Sequence, residues 1–432
     1  MERYDSYIDS GIEVLGKVPS SWKKSKFKFQ HFEQDERVGE DSTEYDLLSL
    51  TKKGIILRDI ESGKGKFPES FDTYKKVKKD DLIFCLYDIE ETPRTVGLSE
   101  LKGMITGSYK IFNSKDVIPK FTYYTFLVID DVKGLKPYYT GLRNVVRPET
   151  FKSLPFFFPP LSEQQQIVSF LDTKTSLIDS LIEKTQRKIE LLKEKRTSLI
   201  NEVVTKGLNP NVEMKDSGVE WIGKIPSGWE KSKLKHKGVF FSGYSFDSKD
   251  FLSEGEIRVL KISNIQNNGI SWDDLQYLPE SFYDTHQNFI VNKGDLVFVL
   301  TRPIISTGIK VCFFNEEYKT LLNQRNSVFR PNESSVIKRF LFYSVRTFSF
   351  IEEFKQQLKE TNQPNISTEQ ISNILMFFPP LSEQNEIVSY LDEQTQLIDK
   401  TISIEEKRIE LLKEYRQSLI SEVVTGKRKV VE

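Results

Sequence analysis

Residues 159–205 of this 432-residue chain occur a second time as residues 379–425. Both copies begin with Pro-Pro-Leu-Ser-Glu-Gln and are separated by a constant offset of 220 residues. About 30 aligned positions are identical, more than unrelated helices share by composition, so the segment is an internal repeat. Any fold for this chain must therefore use the same element twice.

Each copy is predicted to form one long helix. The two prolines remove backbone donors and keep the preceding residue extended, so the helix starts after them. Ser162 and Ser382 are suitable N-caps, and Gln165 completes a capping box in the first copy. Neither copy contains Pro or Gly before Gly207 and Gly426, where a left-handed C-terminal residue is favoured. About 44 residues at 1.5 Å each give a rod of about 66 Å.

The apolar residues of both helices alternate in steps of three and four. Such heptad spacing makes a narrow stripe that has to meet another helix, and the other copy is the obvious partner. We therefore expect a two-stranded coiled coil within the chain; the alternative is that each stripe packs separately on a domain core. The expected seam residues are Val168, Leu171, Ile178, Ile182, Ile189, Leu192, Leu199, Val203, Val388, Leu391, Ile398, Ile402, Ile409, Leu412, Leu419 and Val423.

A second repeated motif precedes each body of the chain. Asp-Ser-Gly-Ile-Glu and Gly-Lys-Val-Pro-Ser-Ser-Trp, ending at Trp22, recur with small changes before Trp229. The bodies that follow share only landmarks: an early strand, a Pro-Glu-Ser-Phe turn, a Lys-x-Asp-Leu-x-Phe strand and a late helix around residues 120–130 or 338–358. Short strands with few helices predict a compact α+β domain. The two copies have similar helix sequences but dissimilar loop sequences. This combination is expected if the loops of the two bodies read two different targets.

The repeats divide the chain into four regions. We expect a first domain at residues 1–154, a first helical region at 155–207, a second domain at 208–374 and a second helical region at 375–432.

Composition restricts the partners and the compartment. The 62 basic and 63 acidic residues balance to −1, whereas a free-standing DNA-binding protein is usually basic. If DNA is the partner, the basic residues are clustered or another subunit supplies phosphate contacts. Cys85 and Cys312 lie in apolar strand-like runs, which indicates buried free thiols in a reducing compartment. With no signal peptide and no apolar run of bilayer length, we expect a cytoplasmic protein without membrane contact.

The paired Pro-Pro-Leu-Ser-Glu-Gln starts and the paired Lys-x-Asp-Leu-x-Phe strands, in this order, resemble the specificity subunit of type I restriction-modification enzymes. The resemblance covers essentially the whole chain. It implies two α/β target-recognition domains, within an α+β fold of pseudo-two-fold symmetry, separated by two helices packed as an antiparallel coiled coil.

The resemblance also implies function. Each domain would read one half of a split, asymmetric site on double-stranded DNA, and the helices would set the spacing and dock two adenine-N6 methyltransferase subunits, which restriction-translocase subunits join. No cofactor would bind this chain, whereas S-adenosylmethionine, ATP and magnesium would bind the partner subunits.

Candidate DNA contacts follow from side-chain chemistry and position in the loops. Base edges are read by Arg, Lys, Asn and Gln, and phosphates are bound by Arg, Lys, Ser and Tyr. The candidates are Lys52, Lys53, Arg94, Tyr109, Lys110, Arg143 and Asn144 in the first domain, and Asn264, Gln266, Arg302, Gln324, Arg325, Asn326, Gln363 and Asn365 in the second.

Two other functions compete with DNA reading. Asp295 with Glu317 and Lys319 could hold a divalent ion and orient water in a nuclease, but the first body offers no matching arrangement. Alternatively, the chain could be a coiled-coil scaffold whose bodies bind protein. His31, His236 and His286 are isolated, which gives little support to histidine catalysis or metal binding.

Overall fold

The computed structural model describes residues 3–58, 70–266, 269–305, 308–358 and 364–430. The chain forms two compact units, residues 1–186 with 406–432 and residues 187–405. Each unit contains one body and a part of each long helix. The boundaries between the two units therefore fall within the long helices. The boundaries of the four predicted regions stay a prediction.

The first body is mainly β-structure with two helices before the first long helix. Its elements are β1 (Tyr7–Asp9), β2 (Lys17–Pro19), β3 (Lys23–Lys26), β4 (His31–Gln34), β5 (Leu48–Thr51), β6 (Gly54–Leu57), β7 (Lys75–Val77), β8 (Leu82–Phe84), β9 (Val96–Leu98), β10 (Gly103–Ile105), β11 (Lys110–Ser114), α1 (Pro119–Asp131), α2 (Pro148–Lys152), β12 (Pro155–Phe158) and the long helix α3 (Leu161–Lys206).

The second body repeats this plan with additional short strands. Its elements are β13 (Met214–Asp216), β14 (Lys224–Pro226), β15 (Glu230–Lys233), β16 (Gly238–Ser242), β17 (Ile257–Leu260), β18 (Ile265–Gln266), β19 (Gly269–Ile270), β20 (Tyr277–Leu278), α4 (Ser281–Thr285), β21 (Leu296–Val299), β22 (Ile304–Ile305), β23 (Gly308–Ile309), β24 (Val311–Phe313), β25 (Thr320–Leu322), β26 (Asn326–Pro331), α5 (Lys338–Ser344), α6 (Phe348–Gln357), α7 (Thr368–Ser372), β27 (Leu375–Phe378) and the long helix α8 (Leu381–Val424).

A four-stranded antiparallel sheet is the common framework of the two bodies. Its order is β4-β11-β8-β9 in the first body and β16-β26-β21-β24 in the second. The central strands β8 and β21 are the predicted Asp-Leu-x-Phe strands, and both are fully buried because they are apolar on both faces. The duplicated framework thus persists although the intervening sequences scarcely align.

Each body is closed by pairing its third strand with its last. In the first, β3 pairs antiparallel with β12, and in the second β15 pairs with β27. The strands β12 and β27 lead directly into the two prolines that precede the long helices. The repeated motifs at the start of each body and at the start of each helix are therefore neighbours in the fold.

Two details of the second body differ from the predictions. The late helix expected over residues 338–358 is broken into α5 and α6, because the Thr347 side chain accepts a hydrogen bond from the Phe350 backbone and starts a new helix. The Pro-Glu-Ser-Phe segment at Pro279 continues into the helix α4 instead of forming only a turn. In the first body, Pro68 and Glu69 of this segment lie outside the described residues.

The ends of the long helices are partly as predicted. Both helices begin at the Leu that follows the two prolines, so Ser162 and Ser382 lie inside the first turn and the predicted N-caps are wrong. Both C-termini are confirmed, because Gly207 and Gly426 follow the helices with φ of +75° and +68°.

In the second unit, the two long helices pack antiparallel. Lys188 forms an ion pair with Glu405, and eight residues further along α3 Arg196 forms one with Asp399, which precedes Glu405 on α8. Apolar seam residues from both helices, among them Val203 and Leu391, join the core of the second body.

In the first unit, the remaining parts of the helices show the same antiparallel arrangement. Arg416 on α8 forms hydrogen bonds with Asp179, and Arg428, further along the chain, lies over the ring of Phe170. All predicted seam residues are buried or half-buried in the structure. The predicted coiled coil is confirmed.

Candidate nucleic-acid interface

The loops at one end of the four-stranded sheet of the second body gather several predicted DNA contacts. The backbone N–H of Arg302, just after β21, donates to the carbonyl of Pro364 at 2.8 Å, and that of Leu300 donates to the carbonyl of Arg325 at 2.8 Å. Thr301 forms a β-bridge with Asn365. Three separate segments therefore meet, and Arg302, Arg325 and Asn365 are exposed there.

The backbone at this place is strained. Arg302 has φ of +49° and Arg325 has φ of +68°, in a region that favours glycine. Such conformations cost about 1–3 kcal/mol each and are concentrated at functional sites. Gln324 is also exposed in this segment, whereas Gln363 lies outside the described residues.

The equivalent place in the first body is built differently. Asp88 follows β8 at the position that Arg302 occupies after β21. It also has a positive φ, of +47°. Its backbone N–H donates to the carbonyl of Arg143 at 2.8 Å. The Arg143 side chain in turn donates to the Asp88 carboxylate, Nε to Oδ1 being 3.0 Å, and lowers the pKa of that carboxyl.

The Arg143 side chain also fits an aromatic platform. Its guanidinium lies 5.2 Å from the centre of the Tyr87 ring, and the Tyr87 and Tyr109 rings are 6.1 Å apart. Burial raises the pKa of Tyr109, so the phenol stays neutral. Arg143 and Tyr109, which were predicted at separate places in the sequence, therefore lie on either side of the Tyr87 ring.

Leu142 is not among the DNA contacts predicted from side-chain chemistry. It stands in the turn between Thr140 and Val145, whose backbones exchange hydrogen bonds of 2.8 and 3.1 Å, and its side chain is fully exposed. An apolar side chain held in solvent beside Arg143 and Asn144 is suited to the apolar parts of bases, such as the thymine methyl group. The signal in the sequence was only a leucine inside a Gly-Leu-Arg-Asn turn.

Other predicted contacts are used within the fold. Asn264 and Asn326 are fully buried; the Asn264 amide donates to the carbonyls of Ser271 and Asp274, and that of Asn326 donates to the carbonyl of Leu260. Both amides hold loops in place, because a buried polar side chain must keep its partners. Neither side chain belongs to the proposed interface.

The remaining candidates in the first body lie apart from the Arg143 surface or have charged partners. Arg94 forms ion pairs with Asp130 and Asp131, at 3.1 and 2.8 Å, and Lys110 forms one with Glu33 at 2.7 Å. Lys52 and Lys53 are exposed in the turn between β5 and β6. In the second body Gln266 is exposed, and its amide donates to the carbonyl of Ser263 at 3.2 Å.

Basic side chains line the third strand of each body, β3 or β15. Those of the first body are exposed, and Lys23 and Lys24 lie over the rings of Phe158 and Phe157 at 5.8 and 5.5 Å. In the second body Lys231 lies over Phe377 at 6.0 Å. The chain is nearly neutral overall, but basic residues are clustered on these strands. Such clustering is one of the two conditions under which we expect a chain of this net charge to bind DNA.

The residues of the nuclease hypothesis do not form a metal site. Asp295 accepts hydrogen bonds from Arg330 and from the backbone of Asn292, while Glu317 forms an ion pair with Lys293 at 2.6 Å. Within the described residues, no group of three or more His, Cys, Asp or Glu side chains could hold a metal ion. Asp81 makes the same turn contact in the first body, so this Asp is structural.

The Pro-Pro-Leu-Ser-Glu-Gln motif anchors the long helix to its own body. Glu163 accepts from the Trp22 indole at 3.1 Å, and Gln164 donates to the carbonyl of Pro159 and accepts from the backbone of Ile118, at 2.9 and 2.8 Å. The second copy repeats all three contacts through Glu383 and Gln384. The motif residues are therefore structural.

Both thiols and one histidine are also structural. Cys85 and Cys312 are buried, and burial raises the pKa of Cys312 to about 12, so it stays protonated. Burial lowers the pKa of His31 to about 4, and the ring contacts the Phe27 carbonyl and the Thr122 hydroxyl. Across the described part of the chain, no helix combines the length and apolarity needed to cross a bilayer.

The duplicated body and long helix define a class of tandem-repeat proteins in which the two repeats share a sheet framework but differ in their loops. The family profile described as type I restriction modification DNA specificity domain matches residues 95–191 and 226–414. The chain therefore belongs to the type I restriction-modification DNA specificity family.

Named relatives agree with this assignment. The MjaVIII specificity subunit of Methanocaldococcus jannaschii is 31% identical over 292 residues, covering 67% of this chain and 66% of the relative. The EcoAI specificity subunit of Escherichia coli is 32% identical over 215 residues, covering 49% and 36%. These two alignments thus span only part of each relative, whereas the putative MjaX specificity subunit of M. jannaschii, 24% identical, is covered over 96% of both chains.

Solved structures share the fold. One comes from a study of complex assembly and conformational transition in a type I restriction-modification system, with a TM-score of 0.70 and 16% identity over 94% of this chain and 98% of the other. The HsdS subunit of Thermoanaerobacter tengcongensis gives a TM-score of 0.55 and 15% identity over 95% and 98%.

Proposed function

We propose that this chain is the non-catalytic DNA specificity subunit of a type I restriction-modification enzyme. Its two bodies read the two halves of a bipartite, asymmetric site on double-stranded DNA. The observation that carries this proposal is the contrast at the end of the four-stranded sheet: the framework is the same in both bodies, whereas the loops present Asp88 with Arg143 in one and Arg302 with Arg325 in the other. Equal frameworks with unequal polar loops suit two different half-sites.

Sequence reading is assigned to exposed side chains at these loops. In the first body they are Arg143 and Leu142, together with the half-buried Asn144; in the second they are Arg302, Gln324, Arg325 and Asn365. The predicted Gln363 lies outside the described residues and stays a prediction. Arginine pairs bidentately with guanine, and Asn or Gln pairs with adenine. Phosphate binding is assigned to Lys52, Lys53 and the lysines of β3 and β15.

The long helices are proposed to set the spacing between half-sites. Their 46 and 44 residues correspond to about 69 and 66 Å. Two major-groove readers on one face of DNA lie about 34 Å apart, one helical turn. A helix pair of this length is proposed to fix such a spacing, since each helix contributes residues to both units.

The same helices are proposed to dock two adenine-N6 methyltransferase subunits, which restriction-translocase subunits then join. In the second unit, Leu191, Leu397 and Ile404 leave about half or more of their side chains exposed. In the first unit, Leu177 and Leu411 do the same. Within the second unit, Leu397 and Ile404 lie one heptad apart outside the seam, a pattern that a partner helix can cover.

This proposal places the chemistry on the partners. S-adenosylmethionine, ATP and magnesium are assigned to the methyltransferase and translocase subunits, and the chain itself is assigned no active site. Its location is proposed to be the cytoplasm.

The test is long-read methylation sequencing of a methylation-free bacterial host. The host would express the chain together with the methyltransferase encoded beside it, and a control strain would express the methyltransferase alone. We expect a split N6-methyladenine motif only when the chain is present. Association of the two proteins without any new methylation would reject DNA reading and favour the scaffold function.

A further inference from the structure

A carboxylate and an arginine from two distant segments of the first body form a bidentate pair at the end of the four-stranded sheet. The Nε and Nη2 atoms of Arg143 donate to the two oxygens of the Asp88 carboxylate, with Nε 3.0 Å from Oδ1. The same two residues are joined through their backbones, since the N–H of Asp88 donates to the carbonyl of Arg143 at 2.8 Å. The pair is therefore held by both its side chains and its main chain.

An aromatic ring supports the arginine from a second direction. The guanidinium lies 5.2 Å from the centre of the Tyr87 ring. Despite these contacts, 66% of the Arg143 side chain is exposed. A long exposed side chain normally loses conformational freedom when it binds a ligand, and a side chain that is already fixed loses less. Arg143 is thus presented to a ligand in a prepared orientation.

The pairing with Asp88 leaves one edge of the guanidinium for a ligand. Of its five N–H donors, the carboxylate uses one on Nε and one on Nη2, so one donor on Nη2 and two on Nη1 remain. The remaining Nη1 and Nη2 donors along the outer edge point in parallel. In the major groove guanine offers two neighbouring acceptors, O6 and N7, whereas each other base offers at most one. The outer edge of Arg143 therefore matches guanine.

A phosphate would also fit two parallel donors, but the local charges disfavour it. The Asp88 carboxylate already neutralises the guanidinium, and Glu91 is exposed three residues further along the chain. The N–H of Thr92 donates to the carbonyl of Asp88 at 2.9 Å, so this turn keeps Glu91 near the pair. Carboxylates repel a charged phosphate, whereas the edge of a guanine is neutral. The arrangement therefore suits a base better than the DNA backbone.

The second body carries a different residue at this place. Arg302 stands where the first body has Asp88, so the position holds a cation instead of a carboxylate. Arg143 itself comes from a turn that Thr140 and Val145 close with hydrogen bonds of 2.8 and 3.1 Å. The anchored arginine is a feature of the first body alone, as expected for the reader of one half-site.

We propose that Arg143 reads a guanine in the major groove of the half-site assigned to the first body, and that Asp88 is its positioning residue. Arg143 donates from Nη1 and Nη2 to O6 and N7 of the base, while Asp88 holds Nε. This assignment rests on the proposed DNA-reading function and adds to it the base that is read and the residue that orients its reader.

Long-read methylation sequencing of the host that expresses the chain with its methyltransferase tests the assignment. Arg143→Ala should relax a guanine of the parent motif, so that methylation of sites with another base there, relative to guanine sites, rises at least about tenfold. Arg143→Lys should relax the same position, because an ammonium group cannot supply two parallel donors. Lysine replaces arginine well at a phosphate, so an unchanged motif in this variant would overturn the guanine assignment.

Asp88→Asn isolates the positioning role. Asparagine tolerates the positive φ of Asp88, so the backbone is kept while the charge and one acceptor oxygen are lost. We expect this variant to relax the same guanine, though less than Arg143→Ala does. An unchanged motif would exclude Asp88 from the reading of DNA. Arg147→Lys, at an exposed arginine of the same segment, is the matched control and should leave the motif as it is.

The half-site assigned to the second body serves as an internal control, because its retention shows that each variant is folded and assembled with the methyltransferase. If Arg143→Ala relaxes no position, or one that is not a G·C pair, the guanine assignment is wrong although DNA reading stands. If the parent chain gives no split motif, the proposed function itself fails and this assignment fails with it.

Discussion

Arg416 on the second long helix donates to Asp179 on the first, with Nε–Oδ1 and Nη2–Oδ2 distances of 2.9 and 3.3 Å. The other copies of these two residues, Arg196 and Asp399, form the same ion pair in the second unit. Each arginine lies between two expected seam residues, Arg196 between Leu192 and Leu199 and Arg416 between Leu412 and Leu419. A charged residue therefore interrupts the apolar stripe at the same place in both copies. Such interruptions fix the register of a helix pair more than they add stability.

We expect Arg416→Ala to change stability little. The two side chains are about one third and one half exposed, and exposed ion pairs contribute less than about 1 kcal/mol. By contrast, Leu391→Ala removes a fully buried seam residue and should cost about 2–5 kcal/mol. Urea unfolding of both variants and of Arg196→Ala measures this difference. A cost for Arg416→Ala as large as for Leu391→Ala would show that ion pairs, not apolar packing, hold the helices together.

The helices and the frameworks were predictable because their signals are local and repeated. Heptad spacing of residues such as Leu171 and Leu391 identified the seam, and Gly207 identified a helix end by its conformational freedom alone. The N-cap error has a physical cause: Gln164, two residues beyond Ser162, binds the Pro159 carbonyl and fixes the start of the helix by a contact outside it.

The candidate interface was predictable only in part, because burial depends on contacts between distant segments. Asn326 has the same chemistry as Asn365, yet its amide is bonded to Leu260, some 66 positions away in sequence, whereas Asn365 is exposed. Arg94 could not be recognised as an ion-pair partner of Asp130 without the fold. Leu142 lacked any polar signal at all.

The DNA-reading loops lead to a prediction about half-sites. Arg302→Ala should relax one position in one half of the methylated motif and leave the other half unchanged, because the two arginines lie in different bodies. Arg143→Ala should do the reverse. Each loss is expected to cost about 1–3 kcal/mol of discrimination. Methylation sequencing reads both halves at once.

Two controls belong to this experiment. Arg94→Ala, which removes a side chain bonded to Asp130 and Asp131, should lower stability without changing the motif. Relaxation of both half-sites by a single loop variant would contradict the assignment of one half-site to each body.

The buried His31 predicts a pH dependence of stability. Its pKa in the folded protein is about 4, against an ordinary value of 6.5, because burial disfavours the charged ring. As pH falls from 6.5 towards 4, His31 binds a proton in the unfolded chain but stays neutral in the folded chain. The loss of unfolding free energy from this group should approach about 3 kcal/mol near pH 4 and vanish above pH 7.

Urea unfolding at pH 7 and pH 5 measures this effect. His31→Gln, which can still bond the Thr122 hydroxyl, should show a smaller decrease between the two pH values than the parent. The second body has Gly238 at the corresponding sheet position, so this position adds no pH dependence to its stability. Identical pH dependence in the two proteins would exclude His31 as the source.

The proposed docking faces differ between the two units. Ile404, exposed beside Leu397, corresponds in the repeat to Lys184 in the first unit. Leu397→Glu should therefore remove one methyltransferase subunit and leave the other bound, and Leu177→Glu should remove the other one. Native mass spectrometry gives the stoichiometry. Lys184→Ile should strengthen docking at the first unit, since it extends the apolar surface; loss of both subunits from one substitution would contradict two separate faces.

Insertion of four residues after Thr205, in the last turn of α3, tests the spacing role of the helices. Four helical residues add about 6 Å, and DNA rises about 3.4 Å per base pair, so the spacer of the methylated motif should widen by one or two base pairs. Both half-sites should stay as they were, because the sheet-end loops are untouched. The same four residues placed after Lys427, beyond the end of α8, serve as the control and should leave the spacer unchanged. An altered half-site in the Thr205 variant would mean that the helices influence sequence reading as well as spacing.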